Sequence, residues 1–234
     1  MLGVVGFSKL EARIHILGGA NDIHSIPFPA LSLSFDLMSS GLVAQAGQMQ
    51  THGLPNDIMF NLNPIAVMAL LPLVQGWLYP ILSRKGIRFT PYHRIAVGLF
   101  YAAAAMGYTA GVQALIYQSG PCYDHPLQCN GISSGANDIN VALQAPTYVL
   151  LALSEIFALV AGTELAYTRA PPSMKSIVQA VFILVGALSA IAGVGVSFAA
   201  KDPNMVVVYG SITALLVFVT ISFSLVVFLR RRST

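Results

Sequence analysis

Pro146–Tyr167 reads PTYVLLALSEIFALVAGTELAY, a run whose only charged residues are Glu155 and Glu164. A bilayer core takes about 20 mostly apolar residues in a helix, against roughly 10 in a barrel strand. This run is long enough for the helix. A helical membrane protein is therefore the first reading, and the rest of the chain has to agree with it.

It does agree. Of 234 residues, 56% are hydrophobic and 9% are charged, and the mean hydropathy is +0.72. A soluble domain carries about a quarter charged residues, and so few charges cannot cover a water-exposed surface. Disorder is excluded by the apolar mass, and a disulfide scaffold by the presence of only two cysteines. The net charge is +3. In a membrane chain the placement of basic residues matters more than their sum, so nucleic acid is not an expected partner.

Working outward, four further runs are long enough to span: Pro64–Leu82, Ile95–Tyr117, Ile177–Ala200 and Met205–Leu229. A sixth, Ala30–Met49, is weaker because it holds Asp36, Gln45, Gln48 and several serines. Charge supports counting it. Nine of the twelve Lys and Arg fall on one side: Arg84, Lys85, Arg88, Arg94, Arg169, Lys175 and Arg230–Arg232. The opposite side has Lys201, and Lys9 and Arg13 precede the first span. The bias of basic loops toward the cytoplasm then puts both termini there, which requires an even number of spans. The expected fold is all-α, a polytopic bundle of about six transmembrane helices in residues 31–234. Residues 1–30 form a separate, poorly ordered or peripheral segment. Its apolar start, Met1–Phe7, is too short to span and precedes its charges, unlike a secretory signal.

Residues 118–144 make the longest connection, on the exterior side, and contain Cys122 and Cys129. An oxidising exterior favours a local disulfide. Free thiols remain open, as does a metal site using His125, although two thiols and one imidazole fall short of the usual four ligands. No metal or other cofactor is expected. Small residues recur every four positions at Ala103, Gly107 and Gly111, and at Ser189, Gly193 and Ser197. Such stripes let helices approach closely in lipid and are read here as packing.

The informative residues are the acids inside spans. A charge at the bilayer centre costs about 2.5–3.5 kcal/mol on insertion scales, so it normally faces a cavity or a partner. Glu155 lies nine residues after Pro146, about 13.5 Å down the helix and near the midplane. Tyr148, Glu155 and Gly162 are spaced by seven and share a face, which reads as a wet surface. The competing reading is a protonated Glu155 bonded to a neighbouring helix. Glu164 turns to nearly the opposite face, near the cytoplasmic end and within reach of Arg169. It is a candidate gate, a packing ion pair or a substrate group. Asp36, at the start of the weak span, can be solvated. Asn63 is either a helix-start residue or a pocket donor. The five histidines are scattered over termini and loops, with no catalytic triad or phosphate loop, so an enzyme is not expected. GAND occurs at Gly19–Asp22 and Gly135–Asp138, too short to establish a repeat.

SEIFALVAGTELAYTRAPPSMKSIVQAVF, from Ser154 to Phe182, resembles the proton-coupled oligopeptide transporters of the major facilitator superfamily. LVAQAGQMQTHGLPNDIMFNLNP, Leu42 to Pro64, is similar to the seventh helix and following exterior loop of fungal members. LYPILSRKGIRFTPYHRI, Leu78 to Ile95, is similar to their connection between the eighth and ninth helices. The resemblance runs from about Phe35 to the end and not over the first thirty residues. It implies the carboxy-terminal six-helix half of a twelve-helix carrier, without the amino-terminal half and its Glu-x-x-Glu-Arg motif. The implied activity is symport of di- and tripeptides with protons, at the plasma membrane, with a lone half inactive. The implied partners are short peptides, protons, the lipid bilayer and a missing amino-terminal half. The alternative is a non-transporting membrane protein. By the same resemblance Glu155 meets the peptide's amino terminus, Asn63 hydrogen-bonds the peptide, and Phe182 stands where a pocket aromatic is placed. Two departures are visible. Leu159 replaces a common serine one turn after the acid, and Leu31–Phe35 lacks the family's tryptophan.

The orientation is testable with the two cysteines alone. After mild reduction of intact cells, a membrane-impermeant thiol reagent should label Cys122 and Cys129. Labelling only after permeabilisation reverses the topology.

Overall fold

The computed structural model describes residues 27–232 except 52, 54, 56–57, 60, 87–88, 127–135, 171–174 and 199. The chain folds into long helices: α1 Pro27–Ala46, α2 Leu62–Arg84, α3 Pro91–Gln118, α4 Val141–Thr168, α5 Lys175–Ser197 and α6 Met205–Arg232. Among the described residues there is no strand, only an isolated bridge between Gln50 and Asn140. The amino-terminal segment lies almost wholly outside the described residues, and α1 begins at Pro27, a little before the expected boundary.

Local chemistry sets the helix ends. Thr90 is extended and Pro91 opens α3, where a missing N–H costs nothing. Asn140 accepts the Ala142 N–H through its side chain at the start of α4. Gly86, at φ +71°, closes α2 in a conformation that disfavours other residues. Pro72 sits inside α2, where it removes a hydrogen bond, and a five-residue π-helical turn follows at Val74–Leu78. A second π-helical turn, Glu155–Leu159, interrupts α4.

Five of the helices, α2 to α6, are long and apolar enough to cross a membrane. The weak span is also a helix, and its position explains its low hydropathy. α1 packs against α5, α6 and α3, and its polar residues Ser34 and Gln45 are fully buried. Gln45 donates to the Thr109 carbonyl and to Gln113 of α3, and Ser34 to the Leu31 carbonyl of its own helix, so neither is presented to lipid.

The core is built from α1, α3, α4 and α6, around Leu42, Leu99, Met106, Tyr148, Tyr209 and Leu216. α2 and α5 lie outside it. Their outer faces carry Ile65, Met68, Trp77, Ile183, Leu188 and Ile191, all exposed. Apolar residues outside and carboxamides inside are what a bilayer demands. A smaller apolar cluster, Val74, Ile156 and Phe157, joins the two π-helical turns.

The small-residue stripes account for only part of the packing. A Cβ at Gly107 would sit 3.4 Å from Thr213, and one at Gly193 3.4 Å from Asp36, but Gly111 faces open space. The tightest approach is at Gly98, where an added Cβ would lie 2.5 Å from the backbone nitrogen of Ala158. α3 and α4 therefore meet closely at the π-helical turn that begins with Glu155. The Cys122 end of the bundle is closed by Asn137, which is fully buried. Its amide donates to the carbonyls of Ile116 and Tyr123, and its Oδ1 accepts the Cys122 N–H.

Because backbone cannot yield at Ala158, Gly98→Ala should cost about 1–3 kcal/mol, the usual price of overpacking. Gly111→Ala should be neutral or slightly stabilising. Denaturation midpoints in one detergent decide between them, and equal behaviour of the two would refute the close approach.

Candidate functional site

Asn63 lies in the first turn of α2, and Glu155 opens the π-helical turn of α4. Asn63 Nδ2 donates to Glu155 Oε1 at 2.7 Å. Asn63 is buried, and its Oδ1 has no protein partner. Asn63 is thus at the helix start and also donates across to α4. Glu155 is bonded to a neighbouring helix and also lines a cavity.

The cavity measures about 530 Å³, within the range of small-ligand sites. Four helices wall it. α1 contributes Ser32, Phe35 and Asp36, and α2 contributes Asn63. α4 adds Leu151, Glu155 and Leu159, and α5 makes room with Gly186, Ala187 and Ala190. Among the described residues two carboxylates line it and no basic side chain does. A cationic ligand group is the natural complement, since a low-dielectric wall strengthens that attraction. Sequence reasoning left Asp36 as a solvated residue. The spacing of Ser32 and Asp36, one helical turn apart, was the available signal for a shared polar face.

Other candidates are placed elsewhere. Tyr148 is buried in the core and does not line the cavity. It shares Glu155's face, as the seven-residue spacing requires, but stands two turns away, about 10.5 Å along the axis, where the core has closed. Phe182 belongs to α5, one turn before Gly186, with its side chain outside the described residues. Cys122 is buried and not a free thiol, while Cys129 lies outside the described residues.

Glu164 pairs with Arg94 of α3 at 3.5 Å. The expected neighbour Arg169 has its side chain outside the described residues. Arg94 also lies over the Tyr79 ring at 4.2 Å, so one guanidinium links α2, α3 and α4. Beneath it, Phe157 of the second π-helical turn contacts three rings: Tyr101 stacks on it at 6.0 Å, Phe89 meets it edge-on at 6.2 Å, and Tyr79 lies at 6.5 Å. Glu164 is more than half exposed, so the pair itself contributes little to stability. Sequence reasoning used Arg94 only for orientation and missed this role.

A larger groove, about 900 Å³, runs between α4 and α5 beside Glu164, Tyr167 and Lys175. Its charges are already engaged, Glu164 with Arg94 and Lys175 over the Tyr167 ring at 4.2 Å. The smaller cavity is the better site because two carboxylates meet there beside buried Asn63, whose Oδ1 has no protein partner.

Residues 24–214 match the family model described as PTR2, POT family. The chain belongs to the POT family. The match in this POT-family chain starts ahead of Phe35, within the segment that the sequence resemblance left out. Peptide transporter imqD of Aspergillus flavus is 41% identical over 187 residues, covering 79% of this chain and 46% of that protein. Peptide transporter PTR_C of Candidozyma auris is 42% identical over 185 residues, covering 78% and 32%. The probable peptide transporter ptr2 of Schizosaccharomyces pombe is 40% identical over 185 residues, covering 79% and 29%. The chain thus spans less than half the length of these relatives. Two solved structures share its fold. An auto-inhibited POT family peptide transporter superposes with a TM-score of 0.69 at 23% identity, over 87% of this chain and 40% of that one. The POT family transporter PepTSo gives 0.68 at 19%, over 90% and 41%.

The bond between Asn63 and Glu155 can be measured. A hydrogen bond to a charged group contributes about 1.5–3 kcal/mol, so Asn63→Ala should destabilise the fold by that order. The loss should shrink in the Glu155→Gln background, because the group left unpaired is then neutral. A double-mutant cycle of unfolding free energies checks this, and strict additivity would show that the pair is uncoupled.

Proposed function

We propose that this chain forms one six-helix wall of a proton-coupled carrier of di- and tripeptides, facing a second six-helix unit. The observation that carries the reading is the cavity shared by Glu155, Asn63 and Asp36, with two acids and no base among the described residues. A peptide's ammonium fits Glu155, and its N–H groups fit the unpartnered Asn63 Oδ1. A proton can replace the ammonium on the same carboxylate, which ties cargo to protons through one group. The printed names of the relatives support peptides as the cargo class. Alone the chain does not transport, since carrier sites lie between repeats and its polar groups would otherwise meet lipid.

In this reading the protein resides in the plasma membrane with both termini cytoplasmic. The end bearing Arg84 and Lys85 faces the cytoplasm, and the Cys122 end faces outward, where Cys122 and Cys129 close a disulfide. The Arg94–Glu164 pair then stands at the cytoplasmic end, where it opens and closes with the carrier. Phe182 packs against the peptide. The protein has no enzymatic role.

The test joins this chain to the amino-terminal half of a POT-family relative and follows uptake of a labelled dipeptide. Glu155→Gln keeps the size of the side chain and removes the charge, and a charge-assisted bond is roughly twice as strong as a neutral one. Apparent affinity for peptides with a free amino terminus should fall on the order of ten- to a hundredfold, equivalent to about 1.5–3 kcal/mol. Glu164→Gln should change turnover more than affinity. Normal uptake by Glu155→Gln at normal surface expression would make Glu155 structural. Uptake by the unjoined chain, without self-assembly, would overturn the two-unit reading.

A further inference from the structure

Away from the cavity, at the end of the bundle that carries Cys122, four buried glutamines form an unbroken chain of carboxamides. Gln144 Nε2 donates to Gln45 Oε1 at 2.9 Å, and Gln45 Nε2 to Gln113 Oε1 at 2.9 Å. Gln113 Nε2 donates to Gln48 Oε1 at 2.7 Å. Gln48 Nε2 then reaches both oxygens of Asp202, at 3.0 and 3.1 Å. Tyr117 Oη donates to Asp202 Oδ1 as well. Each glutamine is at most 2% exposed.

The chain has a direction. A carboxamide can donate or accept at either end, so a row of them can run both ways. An ionised carboxylate only accepts. Asp202 therefore makes Gln48 the donor, which leaves Gln48 Oε1 to accept from Gln113, and the same choice passes on to Gln45 and Gln144. One acceptor must then be left over at the far end, and Gln144 Oε1 is indeed buried without a partner. Reversal is blocked there too, since Gln144 Nε2 also donates to the Leu42 carbonyl at 3.1 Å. Buried amide chains reinforce one another along their length.

The chain also joins particular elements. Gln144 starts α4, Gln45 belongs to α1, and Gln113 and Tyr117 belong to α3. Gln48 follows α1, and Asp202 lies in the turn before α6. The backbone around Gln48 and Gln50 extends the link to the 118–144 connection, through Asn137 N to Gln48 O at 3.0 Å and Gln50 N to Ile139 O at 2.7 Å. Neither α2 nor the body of α5 takes part.

We propose that Asp202 is the key of a clamp: by setting the polarity of the glutamine chain it locks the Cys122 ends of α1, α3, α4 and α6 into one rigid body. Rearrangement at this end is then left to α2 and α5, the two helices outside the core. This goes beyond the peptide-carrier reading and holds whatever the cavity carries.

Hydrogen exchange on the full chain in lipid nanodiscs tests it. Asp202→Ala should raise exchange at least tenfold in residues 43–50 and also in residues 141–147, although the hydrogen bonds of Asp202 described above go to Gln48 and Tyr117 and not to α4. α2 and α5 should be unchanged. Asp202→Asn offers a donor as well as an acceptor and removes the fixed direction, so it should give a smaller rise in the same two segments. Spin labels on the Cys122 ends of α1 and α4 should show a narrow distance distribution in the parent chain and a broader one in either variant. A rise confined to residues around 202, with α4 unaffected, would reduce Asp202 to a local contact and overturn the proposal. If Asp202→Ala does not fold, Asp202→Asn decides alone, and exchange identical to the parent in both segments overturns the proposal.

Discussion

Hydrocarbon offers no hydrogen bonds, so a polar side chain that enters it must find its partner within the protein: Ser34 and Thr220 use a carbonyl of their own helix, and the longer polar side chains reach another helix. That constraint organises this molecule. Asn63 and Glu155 satisfy it across α2 and α4, Arg94 and Glu164 across α3 and α4, and the glutamines across α1, α3 and α4. These bonds choose neighbours, whereas apolar contact is nearly as good with lipid as with protein. The bundle is therefore held in register by a few polar contacts set among close-packed small residues.

The same contacts divide the molecule into a firm part and a part suited to movement. α1, α3, α4 and α6 share the large core and the glutamine chain. α2 meets α4 through a separate small cluster in which both π-helical turns take part. A π-helical turn is a poorer hydrogen-bonding arrangement than the α-helix around it and is common at functional sites. Glu155 begins one of these turns, and Phe157 within it reaches the rings below Arg94.

The cavity follows from these placements. Glycine and alanine on α5 leave the space, two acids give it its character, and Asn63 orients one of them. Leu159 adds apolar wall one turn from Glu155, and Asn63 supplies the hydrogen bond to the carboxylate.

The existence and order of the apolar helices, the basic sidedness and the presence of Glu155 within a span were all determined by the sequence alone. Those properties are local or compositional: hydropathy is summed along one helix, and a charge in a span is costly wherever it faces. Even α1 was recoverable from the charge count, though its hydropathy concealed it. Tertiary structure decided which partner each polar group received. Tyr148 and Glu155 share a helical face, yet one enters the core and the other a cavity, because the neighbours differ two turns apart. Asp36 joined the cavity only because α1 packs beside α5, and Glu164 met Arg94 only because α3 crosses α4. The crossing itself depends on Gly98, one glycine among twenty. Periodicity shows which side of a helix a residue occupies; what stands opposite is set by how the helices cross, and that is a property of the whole bundle.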